Sequence, residues 1–269
     1  MSPKRVVDEM ENVINILKPD LLGLMDDEFF LNKKRVEEIC REMIRRKINI
    51  KWASSSRINY AIHYDDDFFD LLKKSGFTIM TFGGESGSTK ILELIKKEIT
   101  IEQMEKVAEK LMNNGMEWWI NFMLGFPGEK YDDIMKTFNI IKQLNTINKS
   151  LGLGLSIYTP YPGTPLYDEA IRNGFKPPKN LEEWGEYQYA VVDNLPWLDK
   201  RLRGLIRTVE LFSKFQFWSD ARPYHQYDYN LFFKIAFYLA SLSAKYRWKH
   251  LFFSFPVEWR IIERYYKLK

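Results

Sequence analysis

The sequence predicts an α/β fold with a parallel sheet in residues 1–185, followed by a helical, aromatic-rich extension in residues 186–269. Apolar runs typical of strands alternate with helical patterns as far as residue 174. The strands begin near residues 20, 48, 77, 116 and 151, and this spacing favours a βα barrel over a solenoid with a fixed repeat. Beyond residue 185 the alternation ends, and the remaining chain shows the spacing of amphipathic helices.

The elements of the first half can be placed from apolar spacing and turn residues. Apolar side chains three and four positions apart between Val6 and Leu17 predict a helix, which Pro19 ends because proline cannot continue it. Acidic residues open the third helix, where they suit the helix dipole. Five elements follow the first helix: a strand at 20–25, a helix at 32–47, a strand at 48–54, a helix at 65–75 and a strand at 77–82.

The second half of the alternation continues in the same way. Gly115 and Gly174 lie at the ends of predicted helices, where glycine is the favoured capping residue. Loops at 220–228 and 254–257 separate the helices of the extension. Six elements precede that extension: helices at 88–97 and 101–114, a strand at 116–124, a helix at 131–145, a strand at 151–158 and a helix at 166–173.

Composition excludes several classes of protein. Hydrophobic residues make up 45% and charged residues 28% of 269, which excludes a disordered or low-complexity chain. The net charge of +4, from 40 basic and 36 acidic residues, gives no argument for a nucleic-acid partner. The single cysteine, Cys40, excludes a disulfide framework and a Cys-rich metal site made by this chain alone, and favours a reducing, cytoplasmic compartment.

No membrane-spanning segment or secretory signal is expected. The first thirteen residues are charged and contain no apolar core of a signal peptide. The most apolar stretch, residues 231–244, is shorter than the roughly 20 residues of a spanning helix and contains Lys234.

Polar and glycine-rich turns follow every predicted strand. In a βα barrel the loops after the strands form the active face, so these turns are the candidate site. Their sequences, in chain order, are Asp26-Asp27-Glu28, Ser54-Ser55-Ser56-Arg57, Gly83-Gly84-Glu85-Ser86-Gly87-Ser88, Gly125-Phe126-Pro127-Gly128-Glu129 and Thr159-Pro160-Tyr161-Pro162-Gly163-Thr164-Pro165.

Taken singly, each turn allows more than one interpretation. A buried Glu85 needs a donor, which a ligand hydroxyl, a ligand amine or a salt bridge can supply. The acids at 26–28 can bind a divalent cation or a ligand amine, although three adjacent side chains cannot all point inward. Glu129 suits a turn followed by a helix start. The three histidines share no metal-ligand spacing with each other or with Cys40, so no metal ligands are assigned.

The order of the motifs is more specific than any one of them. The segments FGGESGSTKILELIKKEITIEQ, NNGMEWWINFMLGFPGEKYDDI and LSIYTPYPGTPLYDEA resemble the second half of the radical S-adenosylmethionine (radical SAM) core, as found in cobalamin-associated and tRNA-modifying branches of that superfamily. The upstream segments SPKRVVDEM and LMDDEFFLNKKRVEEICREMIRRKINIKWASSSRIN resemble it as well. The resemblance spans about Ser2 to Gly174.

This resemblance implies an incomplete, TIM-like parallel (β/α)6 barrel that holds S-adenosylmethionine and a four-iron four-sulfur cluster. Reductive cleavage of S-adenosylmethionine then yields a 5'-deoxyadenosyl radical, and the protein contributes positioning and exclusion of water. The resemblance assigns cofactor-binding positions in three groups: Asp26 and Asp27 beside the methionine amine; Arg57, Glu85 and Ser86 facing the ribose or the carboxylate; and Gly125, Phe126, Pro127, Tyr158 and Pro160 along the adenine.

The sequence departs from the family at the cluster. The family binds its cluster through three cysteines in a Cys-x3-Cys-x2-Cys loop after the first strand, and this chain has no such loop. Cys40 lies in a helical pattern among apolar neighbours, which is typical of a core residue. The chain also begins with a helix, so we expect a truncated or split product that lacks the first strand, the cluster loop and an N-terminal cobalamin-binding domain, and that is inactive alone.

Two other classes of function stay open. The chain can be a non-catalytic module that binds S-adenosylmethionine or another protein, or it can pair with a separately encoded N-terminal half that supplies the cysteines. The substrate can be a small molecule or belong to another class, and the reaction is not indicated, since methylation, cyclisation and thiomethylation all fit. In the extension, basic residues and the aromatic residues Trp248, Phe252 and Phe253 suit a peripheral membrane contact, or a helix that covers the barrel.

Overall fold

The computed structural model describes residues 1–185, 192, 195–216, 231–254 and 257. Within them, five strands form one sheet in sequential order, and the first two pairings are parallel. Helices connect neighbouring strands, which is the crossover that parallel pairing requires. The predicted α/β fold with a parallel sheet is therefore confirmed. The strands are β1 (Leu21–Leu24), β2 (Lys51–Ser55), β3 (Phe77–Glu85), β4 (Glu117–Leu124) and β5 (Leu151–Ile157).

Helices occupy most of the remaining described chain. Side-chain caps start several of them: Ser2 accepts from the backbone of Arg5, Asn32 from that of Arg35, and Asp65 from that of Phe68. The helices are α1 (Pro3–Leu17), α2 (Lys33–Arg45), α3 (Ile58–Ala61), α4 (Asp66–Lys74), α5 (Thr89–Leu94), α6 (Ile101–Asn113), α7 (Tyr131–Ile147), α8 (Tyr167–Arg172), α9 (Leu181–Gly185), α10 (Lys200–Gln216) and α11 (Leu231–His250), with a 3-10 helix at Phe29–Leu31.

The differences from the predicted elements have local causes. Strand β3 continues past the predicted end at residue 82, because Gly83 and Gly84 stay in the sheet. Helix α5 is shorter than predicted, since Lys96 has a left-handed backbone that a helix does not accommodate. The short α3 and α9 were not predicted, because a single turn carries too little apolar periodicity. The predicted loop at 220–228 lies outside the described residues, and that at 254–257 is described only at its ends.

The chain divides into two compact units. Unit 1 comprises residues 1–84, 98–120 and 144–151. Its core is aromatic: the Trp52 and Phe77 rings meet at 4.6 Å, and the Trp52 indole N–H donates to Ser75 at 3.1 Å. Arg46 joins α2 to α1 through Asp8 and Glu11 at 2.7 and 2.6 Å.

Unit 2 comprises residues 85–97, 121–143 and 152–269. Here the end of α11 packs on α7, because Phe138 contacts Trp248 and Phe253 at ring distances of 5.7 and 5.4 Å. Trp248 and Phe253 are buried, whereas Phe252 is 45% exposed. Two of the three aromatic residues considered for a membrane contact are therefore used inside the unit. In the described residues, no helix is long and apolar enough to cross a membrane.

Candidate functional site

Unit 2 contains a cavity of about 290 Å³ at the ends of β3, β4 and β5. Two of its lining side chains are charged, one is a tyrosine, and most of the others are apolar. A concave, mainly apolar site with a few polar groups is the usual form of a small-molecule site. The lining residues are Glu85, Ile95, Lys97, Met123, Phe126, Tyr158, Thr164, Pro165 and Leu166.

Glu85 is the last residue of β3 and has a left-handed backbone, with φ of 61°. Its carboxylate accepts a hydrogen bond from the Lys97 ammonium at 2.8 Å. The two side chains are 22% and 26% exposed, so the ion pair lies at the mouth of the cavity rather than in bulk solvent. The salt bridge that sequence reasoning allowed for Glu85 is thus present, and its partner is a residue that the sequence had not indicated.

The connection between α5 and α6 places Lys97 beside Glu85. Its two neighbours, Lys96 and Glu98, both have positive φ, at 54° and 50°. With Glu85, three non-glycine residues of this small region are left-handed, and each such residue costs of order 1–3 kcal/mol. A partly solvated ion pair contributes on the order of 1 kcal/mol, too little to offset this strain by itself. Backbone strain of this kind is concentrated at binding and catalytic sites.

Two aromatic rings form one wall of the cavity. Phe126 and Tyr158 lie at a ring distance of 5.2 Å with a tilt of 36°. The backbone N–H of Tyr158 donates to the carbonyl of Leu124 at 2.8 Å, which fixes its position beside the end of β4. Burial raises the pKa of the Tyr158 hydroxyl. This hydroxyl has no hydrogen-bond partner among the described residues. The wall therefore presents neutral, flat surfaces suited to an aromatic ring.

The turn after β4 is held by its own carboxylate. Glu129 accepts hydrogen bonds from the backbone N–H groups of Gly125 and Phe126. Gly125 has φ of 88°, and its carbonyl accepts from the Trp197 indole N–H at 2.9 Å. Burial raises the pKa of Glu129 to about 7, although the two backbone N–H groups lower it. The second carboxylate oxygen is buried with no hydrogen-bond partner among the described residues, so the contacts of Glu129 hold the turn itself.

The serines after Glu85 are used inside unit 2. Ser86 is fully buried, and its hydroxyl lies 3.2 Å from that of Thr137. The Ser88 hydroxyl donates to Asp133 at 2.7 Å. Burial alone raises the pKa of Asp133, but the hydrogen bonds from Ser88, the Lys130 backbone and Lys90 lower it on balance. These contacts position the turn, and the hydroxyls do not line the cavity.

Unit 1 contains the other predicted binding residues. Asp26 and Asp27 are exposed, and the Asp26 carboxylate accepts from the backbone N–H of Glu28 at 3.0 Å. Arg57 forms an ion pair with Glu28 at 3.3 Å and lies 5.6 Å from the Tyr60 ring. Glu28 is thus occupied by an arginine, and among the described residues there is no group of three potential metal ligands.

The remaining predicted residues, Pro127 and Pro160, are buried in unit 2. Sequence reasoning missed Lys97, Thr137 and Asp133. Lys97 had a weak signal, because it lies between two helical patterns where the chain must turn. Asp133 and Thr137 looked like ordinary residues at the start of a helix.

The comparisons with known proteins agree with this architecture. A family model described as the radical SAM superfamily matches residues 1–141, more than half of the chain. The chain belongs to the radical SAM superfamily. The resemblance found in the sequence is therefore confirmed.

Two relatives and one solved structure illustrate the radical SAM likeness. The anaerobic magnesium-protoporphyrin IX monomethyl ester cyclase of Rubrivivax gelatinosus is 27% identical over 62% of this chain and 29% of its own length. An uncharacterized methyltransferase of Pyrococcus horikoshii is 31% identical over 64% of this chain and 36% of its own length. The chain spans about a third of the relatives it matches.

The solved structure shares the fold. The radical S-adenosylmethionine methyltransferase TsrM of Kitasatospora setae superposes with a TM-score of 0.53 at 22% identity, covering 65% of this chain and 34% of TsrM. TsrM was solved with cobalamin and a 4Fe-4S cluster bound. At 22% identity, the similarity to TsrM shows that the two proteins share a fold and nothing more.

The residues of this chain do not fit an iron-sulfur cluster. Such clusters are held by several thiolates, and the sequence contains a single cysteine. Cys40 is buried in α2, and burial raises the pKa of its thiol to about 11, so it stays protonated at neutral pH. The cavity of unit 2, in contrast, offers groups that fit S-adenosylmethionine: opposite charges at its mouth and two aromatic rings in its wall.

Proposed function

We propose that this chain forms an S-adenosylmethionine-binding part of a radical SAM enzyme of the cobalamin-associated, methyltransferase-like type. The observation that carries the proposal is the cavity of unit 2, where an ion pair and an aromatic wall lie side by side. S-adenosylmethionine combines a charged amino-acid end with a flat purine, so both kinds of surface have a counterpart in it. Membership of the superfamily supports the same ligand.

Each lining group has a defined task in this proposal. The Glu85 carboxylate accepts hydrogen bonds from a ligand ammonium or hydroxyl group. Such bonds are strong because the acceptor is charged and partly buried. Phe126 and Tyr158 pack against the adenine and exclude water from it. Gly125, Pro127 and Pro160 shape the backbone around that ring, and Ser86 fixes the turn after Glu85. The roles predicted for Asp26, Asp27 and Arg57 stay predictions.

The chemistry beyond binding needs groups that these 269 residues do not provide. An iron-sulfur cluster supplies the electron that cleaves S-adenosylmethionine, and its thiolates must come from outside this sequence. A polypeptide carrying those cysteines, together with cobalamin, is the partner that the proposal requires. The substrate is proposed to be a small molecule, and the compartment to be the cytoplasm.

Calorimetric titration of the purified chain with S-adenosylmethionine tests the proposal. We expect one site per chain, and a loss of affinity of about tenfold or more in Glu85→Gln, because one charge-assisted hydrogen bond is removed. Glu93→Gln is the matched control, since Glu93 is exposed on α5 and lines no part of the cavity. Absence of binding, or an equal loss in both variants, would contradict the proposal.

The single buried cysteine favours a second candidate, a non-catalytic module that binds S-adenosylmethionine. Anaerobic incubation with iron and sulfide, followed by iron analysis and electron paramagnetic resonance, separates the two. The first candidate predicts a cluster only when a cysteine-bearing partner is added. If binding occurs and no partner restores a cluster, the module is the better description.

A further inference from the structure

We infer that the outer face of helix α11 is a docking surface for an anionic lipid membrane. This surface is separate from the cavity, and the inference does not depend on the proposed function. Four side chains form the outer face, Tyr238, Leu239, Leu242 and Tyr246, and they are 62%, 59%, 44% and 61% exposed. Since residues four positions apart lie on the same side of a helix, Tyr238, Leu242 and Tyr246 form an apolar stripe about 12 Å long.

The opposite side of α11 is occupied within unit 2. Trp248 packs on Phe138 of α7, and the Arg247 guanidinium lies 4.8 Å from the Phe212 ring of α10. Arg247 is buried and donates to the carbonyl of Phe252 at 3.2 Å. The helix thus buries an arginine and exposes leucine and tyrosine, which reverses the usual distribution of these residues. A contiguous exposed apolar patch of this kind marks an interaction surface.

The charge of α11 indicates what this surface binds. Residues 231–250 contain four lysines and arginines and no acidic residue. Lys245 and Lys249 are exposed beside the end of the stripe, and the His250 ring lies 4.5 Å from that of Tyr246. Lysine stems can follow an apolar surface while their ammonium groups reach anionic headgroups. An apolar stripe next to exposed lysines therefore matches an anionic lipid surface in both polarity and charge.

Two other occupants fit these observations less well. A second copy of α11 would bring only positive charge to a shared face, and like charges repel. Protein–protein interfaces are depleted in lysine, whereas lysines lie directly beside this stripe. Tyrosine rings, in contrast, are enriched at the headgroup level of membranes. Because α7 and α10 occupy the other side of α11, the helix would lie along the membrane surface.

The test measures co-sedimentation of the full chain with vesicles of phosphatidylcholine, with and without phosphatidylglycerol. We expect binding to the vesicles that contain phosphatidylglycerol, and weaker binding as salt is added. The double variant Lys245→Gln with Lys249→Gln should lower the affinity about tenfold or more, because each lysine near an anionic surface contributes roughly fivefold. Its control, Lys74→Gln with Lys106→Gln, removes the same charge from exposed positions of α4 and α6 and should keep the native affinity.

A second pair of variants tests the apolar stripe. Leu242→Gln with Tyr246→Gln should abolish binding even at low salt, because the stripe can no longer enter the interface. The control, Ile44→Gln with Met112→Gln, replaces two exposed apolar side chains of α2 and α6 and should bind like the native chain. Since all of these positions are exposed, the variants should remain folded, and circular dichroism verifies this.

Three results would overturn the inference. The first is a native chain that does not bind anionic vesicles, or that binds neutral ones equally well. The second is an equal loss of affinity in a variant pair and its control, which would indicate attraction by net charge or general hydrophobicity. The third is a dimer in sedimentation velocity that Leu242→Gln with Tyr246→Gln dissociates, without vesicle binding by the native chain, which would assign the outer face to a second copy. None of these results affects binding of S-adenosylmethionine in the cavity, so the proposed function is tested separately.

Discussion

The Ser88 hydroxyl donates a hydrogen bond to the Asp133 carboxylate at 2.7 Å, and this contact fastens the start of α5 to the start of α7. Lys90 approaches the same carboxylate at 3.2 Å, and the backbone N–H of Lys130 donates to it at 3.1 Å. One buried aspartate thus holds two of the turns that shape the cavity. Its removal leaves several donors unpaired at once.

Replacement of Asp133 by alanine should lower the free energy of unfolding by about 2–4 kcal/mol, since charge-assisted hydrogen bonds are lost and buried donors remain. Urea unfolding measures the change. Asp132→Ala is the control, because Asp132 is exposed one position earlier, and it should change stability by less than about 0.5 kcal/mol. Equal effects of the two variants would show that the buried network is not important for stability.

Gly87 is pressed against α7, and a side chain there has no room. A Cβ would lie 2.6 Å from the Lys136 carbonyl oxygen and 2.6 Å from the Thr137 Cα, both of them backbone atoms. We expect Gly87→Ala to lower stability by about 2–3 kcal/mol, because the helix must shift. Gly204→Ala has open space within α10 and should raise stability by about 0.5–1 kcal/mol in the same thermal unfolding assay. If Gly87→Ala left the stability unchanged, α7 would be able to shift away from the added methyl group at little cost.

Stability should depend on pH through Glu129. Burial raises the pKa of this carboxyl from 4.5 to about 7, so the folded state holds a proton that the unfolded state releases between these values. The resulting stabilisation is full below pH 4.5 and is lost as the pH rises to about 7, at most by about 3 kcal/mol. Unfolding by urea at pH 5 and pH 8 measures this difference.

Glu129→Gln removes the titrating group while keeping an oxygen that can accept from Gly125 and Phe126. The difference in stability between pH 5 and pH 8 should become smaller in this variant. It should not change in Glu93→Gln, whose side chain is exposed. An unchanged pH profile in Glu129→Gln would assign the titration to another group.

Trp197 supports the Gly125 turn from outside the strands. Trp197→Phe removes the hydrogen bond from the indole to the Gly125 carbonyl and should lower stability by about 1 kcal/mol. Since Phe126 belongs to the same turn, binding of 5'-methylthioadenosine should also weaken severalfold. Tyr161→Phe serves as the control, because the Tyr161 ring stacks on Trp184 at 5.6 Å and its hydroxyl is not needed for that contact. If Trp197→Phe bound 5'-methylthioadenosine with unchanged affinity, Trp197 would have no influence on binding in the cavity.

The alternation of strands and helices could be predicted from the sequence, because an element that is buried on one face has a periodic pattern of apolar residues. It also singled out Glu85 and Gly125 as parts of glycine-rich turns that follow strands, whereas Tyr158 was indicated only by the resemblance to the radical SAM core. Lys97 was not visible, because its importance depends on a left-handed connection that returns it to β3. The burial of Glu129 was missed for a similar reason: its partners are backbone atoms, which have no sequence signature.

The protonated, buried state of Cys40 makes this cysteine an internal reporter. Alkylating reagents react with thiolates, so we expect the folded chain not to react with maleimide. On unfolding, it should gain one label per chain. Label incorporation then follows the opening of α2 in real time. In a mixture with a cysteine-bearing partner, every fast-reacting thiol belongs to that partner, so the thiols that become protected when a cluster is assembled can be counted without mutating this chain.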